Sequence, residues 1–351
     1  MMNKKTFETL VVTKANLLKG LDKALHDYQV ASLTKRGERV LYDYVANSSE
    51  IELEYRPTVL SPKKFFFPQD EVILEYDAHG KILPKIEAKP TVLFGIRPCD
   101  LNGLKVITEC FADDNGDPNY LAKRENAVVI GIDCKKVCDK DAFCFKVGAQ
   151  NACGGFDVML YEHGSSYAVE ISNEKGQKFI KKYFSCDDAK GDEIENFCKE
   201  KTKSFDKEKP FKNLNKFPEL FEKGKHHPVW EQEGKRCLSC GSCIMVCPTC
   251  YCFDVKDEME LNMQKGARIR KWDACMLKDF SVIGSGENFR PRATERLHHR
   301  IDRKFNFLMK KHGQSVCVGC GRCVRACLAK ISPKTIAENI NGEFKGEGGS
   351  K

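Results

Sequence analysis

Two identical runs of four cysteines constrain this chain more than any other feature. Cys237, Cys240, Cys243 and Cys247 read C-x2-C-x2-C-x3-C with Pro248 next, and Cys317, Cys320, Cys323 and Cys327 repeat the spacing with Leu328 in the proline's place. This is the ferredoxin run for [4Fe–4S] clusters: three close thiolates wrap one cluster and the fourth is carried to its neighbour. By that logic Cys237, Cys240, Cys243 and Cys327 hold one cluster, and Cys317, Cys320, Cys323 and Cys247 the other. Gly241, Gly319 and Gly321 suit loops whose backbone amides turn toward cluster sulfurs. A zinc ribbon would set two C-x2-C pairs about 15 to 20 residues apart, which neither run does. Residues 248–316 then form a long insertion in the two-cluster module, able to cover the clusters or dock a partner.

The remaining cysteines widen the question. The chain has 19 in 351 residues. MMNKKTFETL lacks the apolar stretch of a signal peptide, and no run of about eighteen apolar residues occurs, so a cytoplasmic chain outside the membrane is expected. In that reducing compartment thiols serve metal or redox chemistry rather than disulfides. Cys250 and Cys252 follow at once in CPTCYC, and Cys275 closes WDAC; these three are candidate further ligands, or small residues packed beside the clusters.

Upstream, TVLFGI (91–96) and AVVIGI (127–132) are continuous apolar runs, as in strands buried on both faces of a parallel sheet. DLNGLKVITECFA (100–112) between them reads as a helix opened by Asp100, completing a β-α-β unit. Cys99 and Cys134 then fall at the carboxyl ends of neighbouring parallel strands, where open α/β sheets hold ligands. With Cys138 and Cys144 from the next loop they form a candidate third cluster, with Cys153 an alternative to Cys138, or else a set of structural or redox-active thiols. Cys110, Cys186 and Cys198 read as incidental.

The fold class expected is mixed, α+β or α/β. An N-terminal α/β domain (1–172) with the candidate extra cluster leads into a charged, apolar-poor helical connector (173–227). A ferredoxin-like 2[4Fe–4S] domain follows (228–340, insertion 253–316), then a disordered tail (341–351). Within the first domain, residues 1–30 read as helical from Phe7, Leu10, Val11, Leu17, Leu18, Leu21 and Leu25. RVLYDYV (39–45) and VILEYD (72–77) read as strands, and 156–172 as a hairpin turning at His-Gly-Ser-Ser.

Charge and motifs narrow the function. Residues 263–316 hold thirteen basic and five acidic residues, an excess of eight that equals the net charge of the whole chain. The stretch suits an acidic partner, compensation of cofactor charge, or simply a solvated helix face. His226, His227, His298 and His299 read as polar surface. G-x-G-x-x-G, P-loop and G-x-S-x-G patterns do not occur, so no nucleotide site or hydrolytic nucleophile is marked, and no flavin is expected in this chain.

KKFFFPQ (63–69), FGIRPCDLNGLK (94–105), VVIGIDC (128–134), HHPVW (226–230), RCLSCGSCIMVCPTCYC (236–252), RKWDAC (270–275), NFRP (288–291) and CVGCGRC (317–323) occur in an order that resembles one family. It comprises the beta subunits of soluble sulfhydrogenases and the A subunits of anaerobic sulfite reductases, and KKFFFPQ leans to the former. The resemblance implies an iron–sulfur electron-transfer subunit of a multi-subunit oxidoreductase. Its implied partners are a flavin-bearing, NAD(P)H-reactive, diaphorase-like subunit and a terminal catalytic subunit: a nickel–iron hydrogenase, a sirohaem sulfite reductase or a heterodisulfide-reductase-like module. The cofactors expected are two [4Fe–4S] clusters, with a third or fourth on the other thiols. The alternatives are a reductase with its own flavin or open-site cluster, and a cluster-based sensor binding nucleic acid through the basic stretch. The sensor reading lacks any recognised DNA-binding element, so no nucleic-acid partner is expected.

Overall fold

The computed structural model describes residues 10–342 except 56, 190 and 206–208. Phe7 of the expected N-terminal helix and residues 343–351 of the expected tail lie outside the described residues; Asn341 and Gly342 form a turn, and the Asn341 amide donates to Lys212 O at 2.7 Å. Two compact units are each assembled from separated segments. The second comprises Pro68–Leu83, Asp141–Gly148 and the chain from Lys209 onward; the rest belongs to the first.

In the first unit, β1 (Leu10–Thr13) precedes α1 (Lys14–Ala24). Leu10 and Val11 are therefore strand residues, which corrects the helical reading of the N-terminus. Thr13 ends the strand by accepting from Asn16 N as an N-cap, and helical spacing begins only after it. Then come β2 (Gln29–Arg36) and β3 (Arg39–Val45). The next two strands, β4 (Asp70–Asp77) and β5 (Ile82–Pro84), pair within another sheet. The first unit resumes with β6 (Thr91–Ile96), α2 (Pro98–Ala112), α3 (Pro118–Glu125), β7 (Ala127–Ile132), β8 (Val158–His163), β9 (Ser166–Ile171), α4 (Glu174–Tyr183), β10 (Asp187–Asp188) and α5 (Glu193–Phe205).

Its eight strands form one sheet in the order β10-β1-β9-β8-β7-β6-β2-β3. The pairs β2–β6, β6–β7 and β7–β8 are parallel; the flanking pairs are antiparallel. Every residue of β6 and β7 is buried, because helices cover both faces of a parallel sheet. Gly95 (φ +77°) shifts the register of β6 against β7, a conformation that costs a β-carbon-bearing residue strain. At Gly131 a β-carbon would meet Met159 Sδ and Leu101 at 2.8 to 2.9 Å, so the glycine lets α2 close on the sheet.

The second unit holds an antiparallel sheet in the order β11-β12-β4-β5, with β11 at Phe253–Met259 and β12 at Lys265–Trp272. Buried Arg270 on β12 pairs with Glu71 on β4 at 2.6 Å. The helices are α6 (Phe217–Lys223), α7 (Val229–Arg236), α8 (Ser242–Met245), α9 (Ala293–Asp302), α10 (Leu308–His312), α11 (Arg322–Ala326) and α12 (Pro333–Ile340). A π-helical turn, Arg303–Phe307, joins α9 to α10. Phe217, Phe221 and Phe305 pack with centroids 5.3 to 5.7 Å apart, and Trp230 lies against Phe221 at 6.3 Å. Gly234 lets α7 touch α9, since a β-carbon there would lie 2.3 Å from Thr294 Oγ1. Among the described residues no helix is long and apolar enough to cross a membrane.

Candidate metal centre

The two cysteine runs fold as near copies of one another. α7 ends into Cys237, and the loop passes through Ser239 (φ +53°) and Gly241 (φ +74°) before the single turn of α8. In the second run Gly319 (φ +61°) and Gly321 (φ +73°) take the same conformations before α11. Two left-handed residues in a five-residue loop wrap the backbone so that its amides turn toward one centre. Ser239 N donates to Cys237 Sγ at 3.4 Å, and Ile331 N to Cys327 Sγ at 3.5 Å.

Cys237, Cys240 and Cys243 share one cavity with Cys327 from the other run. Its remaining wall is apolar apart from Ser239 and Arg300, with Leu238, Met276, Leu297, Leu328 and Ile331 lining it. Burial and the neighbouring sulfurs of Cys323, Cys247 and Cys320 hold the Cys317 thiol above its ordinary value, with Gly319 N–H opposing, so the other four thiols also stand within electrostatic reach of one another. Burial pushes the Cys243 thiol up to about 11, with Arg300 opposing and Cys323, Cys237 and Cys247 adding. Clustered thiols that resist ionisation individually are stabilised as thiolates by iron.

Two buried cations meet this charge. Arg300 is 4% exposed and Lys304 6%, and among the described residues neither pairs with a carboxylate. Lys304 Nζ donates to Thr249 O and Oγ1 at 3.0 and 2.6 Å, while Arg300 Nε is buried without a hydrogen-bond partner. Cys243, Cys323, Cys250 and Cys247 all raise Arg300, against its burial. Buried cations without acidic partners are costly unless an anion faces them, and a thiolate-ligated cube is such an anion. Arg296 serves differently: its guanidinium donates to Met276 O, Arg290 O, Pro291 O and Ser239 Oγ at 2.7 to 3.0 Å, holding the first loop. The cavity, the amides, the donor set and the unpaired Arg300 therefore fit [4Fe–4S] clusters. Among the described residues no three His, Cys, Asp or Glu side chains are grouped to hold a single metal ion.

Arg296, Arg300 and Lys304 were not singled out as site residues from the sequence. Their signal was present, since the three recur at intervals of four, one face of a helix. His298 and His299 also depart from the surface reading. His298 packs on Trp230 at 4.4 Å, and burial with Arg290 and Arg303 pushes His299 down to about 4.

Cys250, Cys252 and Cys275 come together in a second cavity of about 250 Å³, lined also by Tyr251, His299, Arg300, Arg303 and Lys304. Cys252 accepts a hydrogen bond from Cys275, which favours the Cys252 thiolate and opposes ionisation of Cys275. The four thiols of the candidate third cluster divide between the units. Cys99 lies in the first turn of α2 and Cys134 just after β7, both with Cys138 in the first unit, whereas Cys144 opens a 3-10 turn of the second. Cys153 is exposed, its N–H bonded to Asn102 Oδ1 at 2.9 Å. Beside Cys134, buried Asp133 binds Lys201 at 2.6 and 2.8 Å, and Arg97 donates to Ile132 O and Asp133 O. Burial pushes the Cys134 thiol up to about 11, with Arg97 opposing.

Residues 236–331 match the family described as a 4Fe-4S dicluster domain, which spans both cysteine runs and the insertion. The sulfhydrogenase 2 subunit beta of Pyrococcus furiosus is 32% identical over 313 residues, covering 85% of this chain and 88% of that one. The dicluster domain brings two [4Fe–4S] clusters, and the relatedness extends through the first unit as well. With an iron–sulfur centre built as above and identity over most of both chains, the protein belongs to the family of sulfhydrogenase beta subunits, the iron–sulfur electron-transfer subunits of hydrogenase-type complexes.

Proposed function

We propose that this chain relays single electrons between a flavin-bearing, NAD(P)H-reactive subunit and a terminal catalytic subunit of a cytoplasmic oxidoreductase complex. A hydrogenase is the catalytic partner favoured by the relative's name, and the family resemblance implies a nickel–iron one; a sirohaem sulfite reductase or heterodisulfide-reductase-like module are the others. Cys237, Cys240, Cys243 and Cys327 ligate one cluster, and Cys317, Cys320, Cys323 and Cys247 the other. The observation that carries this reading is the exchange of ligands: Cys327 lines the cavity of the first run's thiols. Each run then lends a ligand to the other's cluster, so the clusters are neighbours and electrons pass between them without leaving the protein. The clusters supply one-electron storage; the chain's residues hold them in place and set their potentials. A reducing compartment keeps the thiols available for metal.

Iron, acid-labile sulfide and flavin per chain on anaerobically purified protein test this. About eight irons without flavin fit the two ligand sets above. About twelve would add a cluster on the other thiols. Four or fewer would overturn the two-cluster relay.

One observation favours a second reading, in which the chain itself reduces a substrate. Cys250, Cys252 and Cys275 line a cavity with His299, Arg300, Arg303 and Lys304, as a three-thiolate cluster with an open corner would require. Turnover by the isolated chain, lost in Cys252→Ser, would support it over the relay.

A further inference from the structure

The two cysteine runs are alike in sequence and backbone, yet their surroundings differ. In the second run Val318, which follows the first cysteine, is 3% exposed. The 141–148 segment lies on that loop: Phe143 N donates to Gly319 O at 2.7 Å. A β-carbon at Gly319 would meet the Phe143 and Cys144 backbone at 2.6 Å, and one at Gly321 the Asp141 backbone at 2.7 Å. Pro248 and Thr249, which follow the ligand lent by the first run, are buried too. Among the described residues the first run is covered only at Gly241, by Ala274, and at Ser239, by Arg296. Leu238, the counterpart of Val318, is 64% exposed, Leu328, the counterpart of Pro248, is 81% exposed, and Cys240 is exposed. Both leucines line the cavity shared by Cys237, Cys240, Cys243 and Cys327, and Leu277 approaches the same loop at Gly241.

Because both exposed leucines border one cavity, they form a patch rather than singly scattered surface residues, and a polar-rimmed apolar patch marks an interaction site. The chain beside these leucines is basic. Lys235, Lys278 and Lys330, each within three residues of Leu238, Leu277 or Leu328, are exposed, and Arg236 is paired with Glu233. Arg236 also reaches across to Ala329 O at 2.6 Å, tying the two exposed loops into one surface.

We propose that this leucine-centred, lysine-rimmed face is the docking port through which the Cys237–Cys240–Cys243–Cys327 cluster exchanges electrons with an electron-transfer protein whose own redox centre is ringed by acidic side chains. The inference rests on the relay reading and adds direction to it: the cluster under Val318 and Phe143 is the inner station. One electron leaves the partner's reduced centre and enters the exposed cluster, or the reverse, and no bond or proton moves. Apolar contact brings the two centres close, and opposite charge steers the encounter.

The test uses the full-length, cluster-loaded chain and, as probe, a reduced acidic two-cluster ferredoxin mixed with it by stopped flow. Leu238→Glu with Leu328→Glu should lower the second-order rate at least tenfold, compared at full iron content because both leucines also line the cluster's cavity. Lys235→Glu with Lys330→Glu, which leaves the leucines in place, should lower it and weaken its dependence on salt. The control, Val255→Glu with Met259→Glu on exposed β11, should stay within twofold. Exchange within twofold of wild type in both rim variants, or an equal fall in the control, overturns the port. The relay is read separately from turnover of the purified complex carrying Cys240→Ala. Turnover retained there overturns the relay; turnover lost there, with normal exchange in both rim variants, overturns the port alone.

Discussion

Arg300→Met should lower the reduction potentials of both clusters. Arg300 lines the first thiol cavity and is coupled electrostatically to Cys243 of one proposed ligand set and to Cys247 and Cys323 of the other. It is 4% exposed, so water screens it little. A reduced cluster carries one more negative charge than an oxidised one, so a nearby cation stabilises the reduced form, and removing it must move the potential down. At a separation of about 7 Å and an effective dielectric of about 20, the interaction is about 2.4 kcal/mol. For one electron that corresponds to about 100 mV. Methionine keeps most of the side chain's volume, so the packing against Leu297 and Met276 is retained in large part. The assay is a redox titration followed by electron paramagnetic resonance, with iron content checked first. Because a guanidinium stays charged at all accessible pH, the shift should be the same at pH 6 and pH 9. Arg292→Met, an exposed residue paired with Glu295, is the control and should shift either potential by less than about 20 mV. Potentials unmoved in Arg300→Met at full iron content would refute the reasoning.

Gly319→Ala should empty the inner site selectively, because its φ of +61° disfavours a β-carbon and that atom would meet backbone at 2.6 Å. Loss of about four irons is expected there, whereas Ser239→Gly at the matching position should keep both clusters; equal iron in the two variants counts against the argument. In the first unit, Lys201→Met leaves Asp133 buried without its ammonium partner and should cost about 3–5 kcal/mol, read as a fall in denaturant midpoint. Burial raises the Asp133 carboxyl despite Lys201, and removing the lysine raises it further. A carboxyl raised in the folded state favours folding below its unfolded pKa and loses that contribution as pH rises through the folded value, so the variant's deficit should be larger at pH 8 than at pH 5. A deficit that does not grow with pH would refute that sign. Cys252→Ser with Cys275→Ser should leave both ferredoxin-type signals in place; loss of iron in that variant would show that the second thiol cavity holds metal.

Much of this protein was legible in its residues alone, and the reason lies in local rules. The apolar runs 91–96 and 127–132 coincide with β6 and β7 to the residue, because strands buried on both faces carry no polar position that could blur their ends. The eight ferredoxin-type cysteines were visible because cluster chemistry demands close spacing along the chain, which survives any packing. Leu10 and Val11 were misread because a four-residue strand beside an amphipathic helix shares the helix's apolar spacing until the Thr13 cap separates them. Cys250, Cys252 and Cys275 stand 25 positions apart at the extremes, and only the pairing of β11 with β12 closes that gap. Tertiary structure alone decided which charges are buried and which cysteine loop is exposed. The sequence leaves the basic excess in 263–316 open between an acidic partner, compensation of cofactor charge and a solvated face; in the fold Arg296, Arg300 and Lys304 turn inward while Arg268 and Lys271 pair across strands. Val318 and Leu238 occupy equivalent places in equivalent loops, so nothing local separates them. The 141–148 segment, brought from about 175 residues away in sequence, covers one and leaves the other to the solvent.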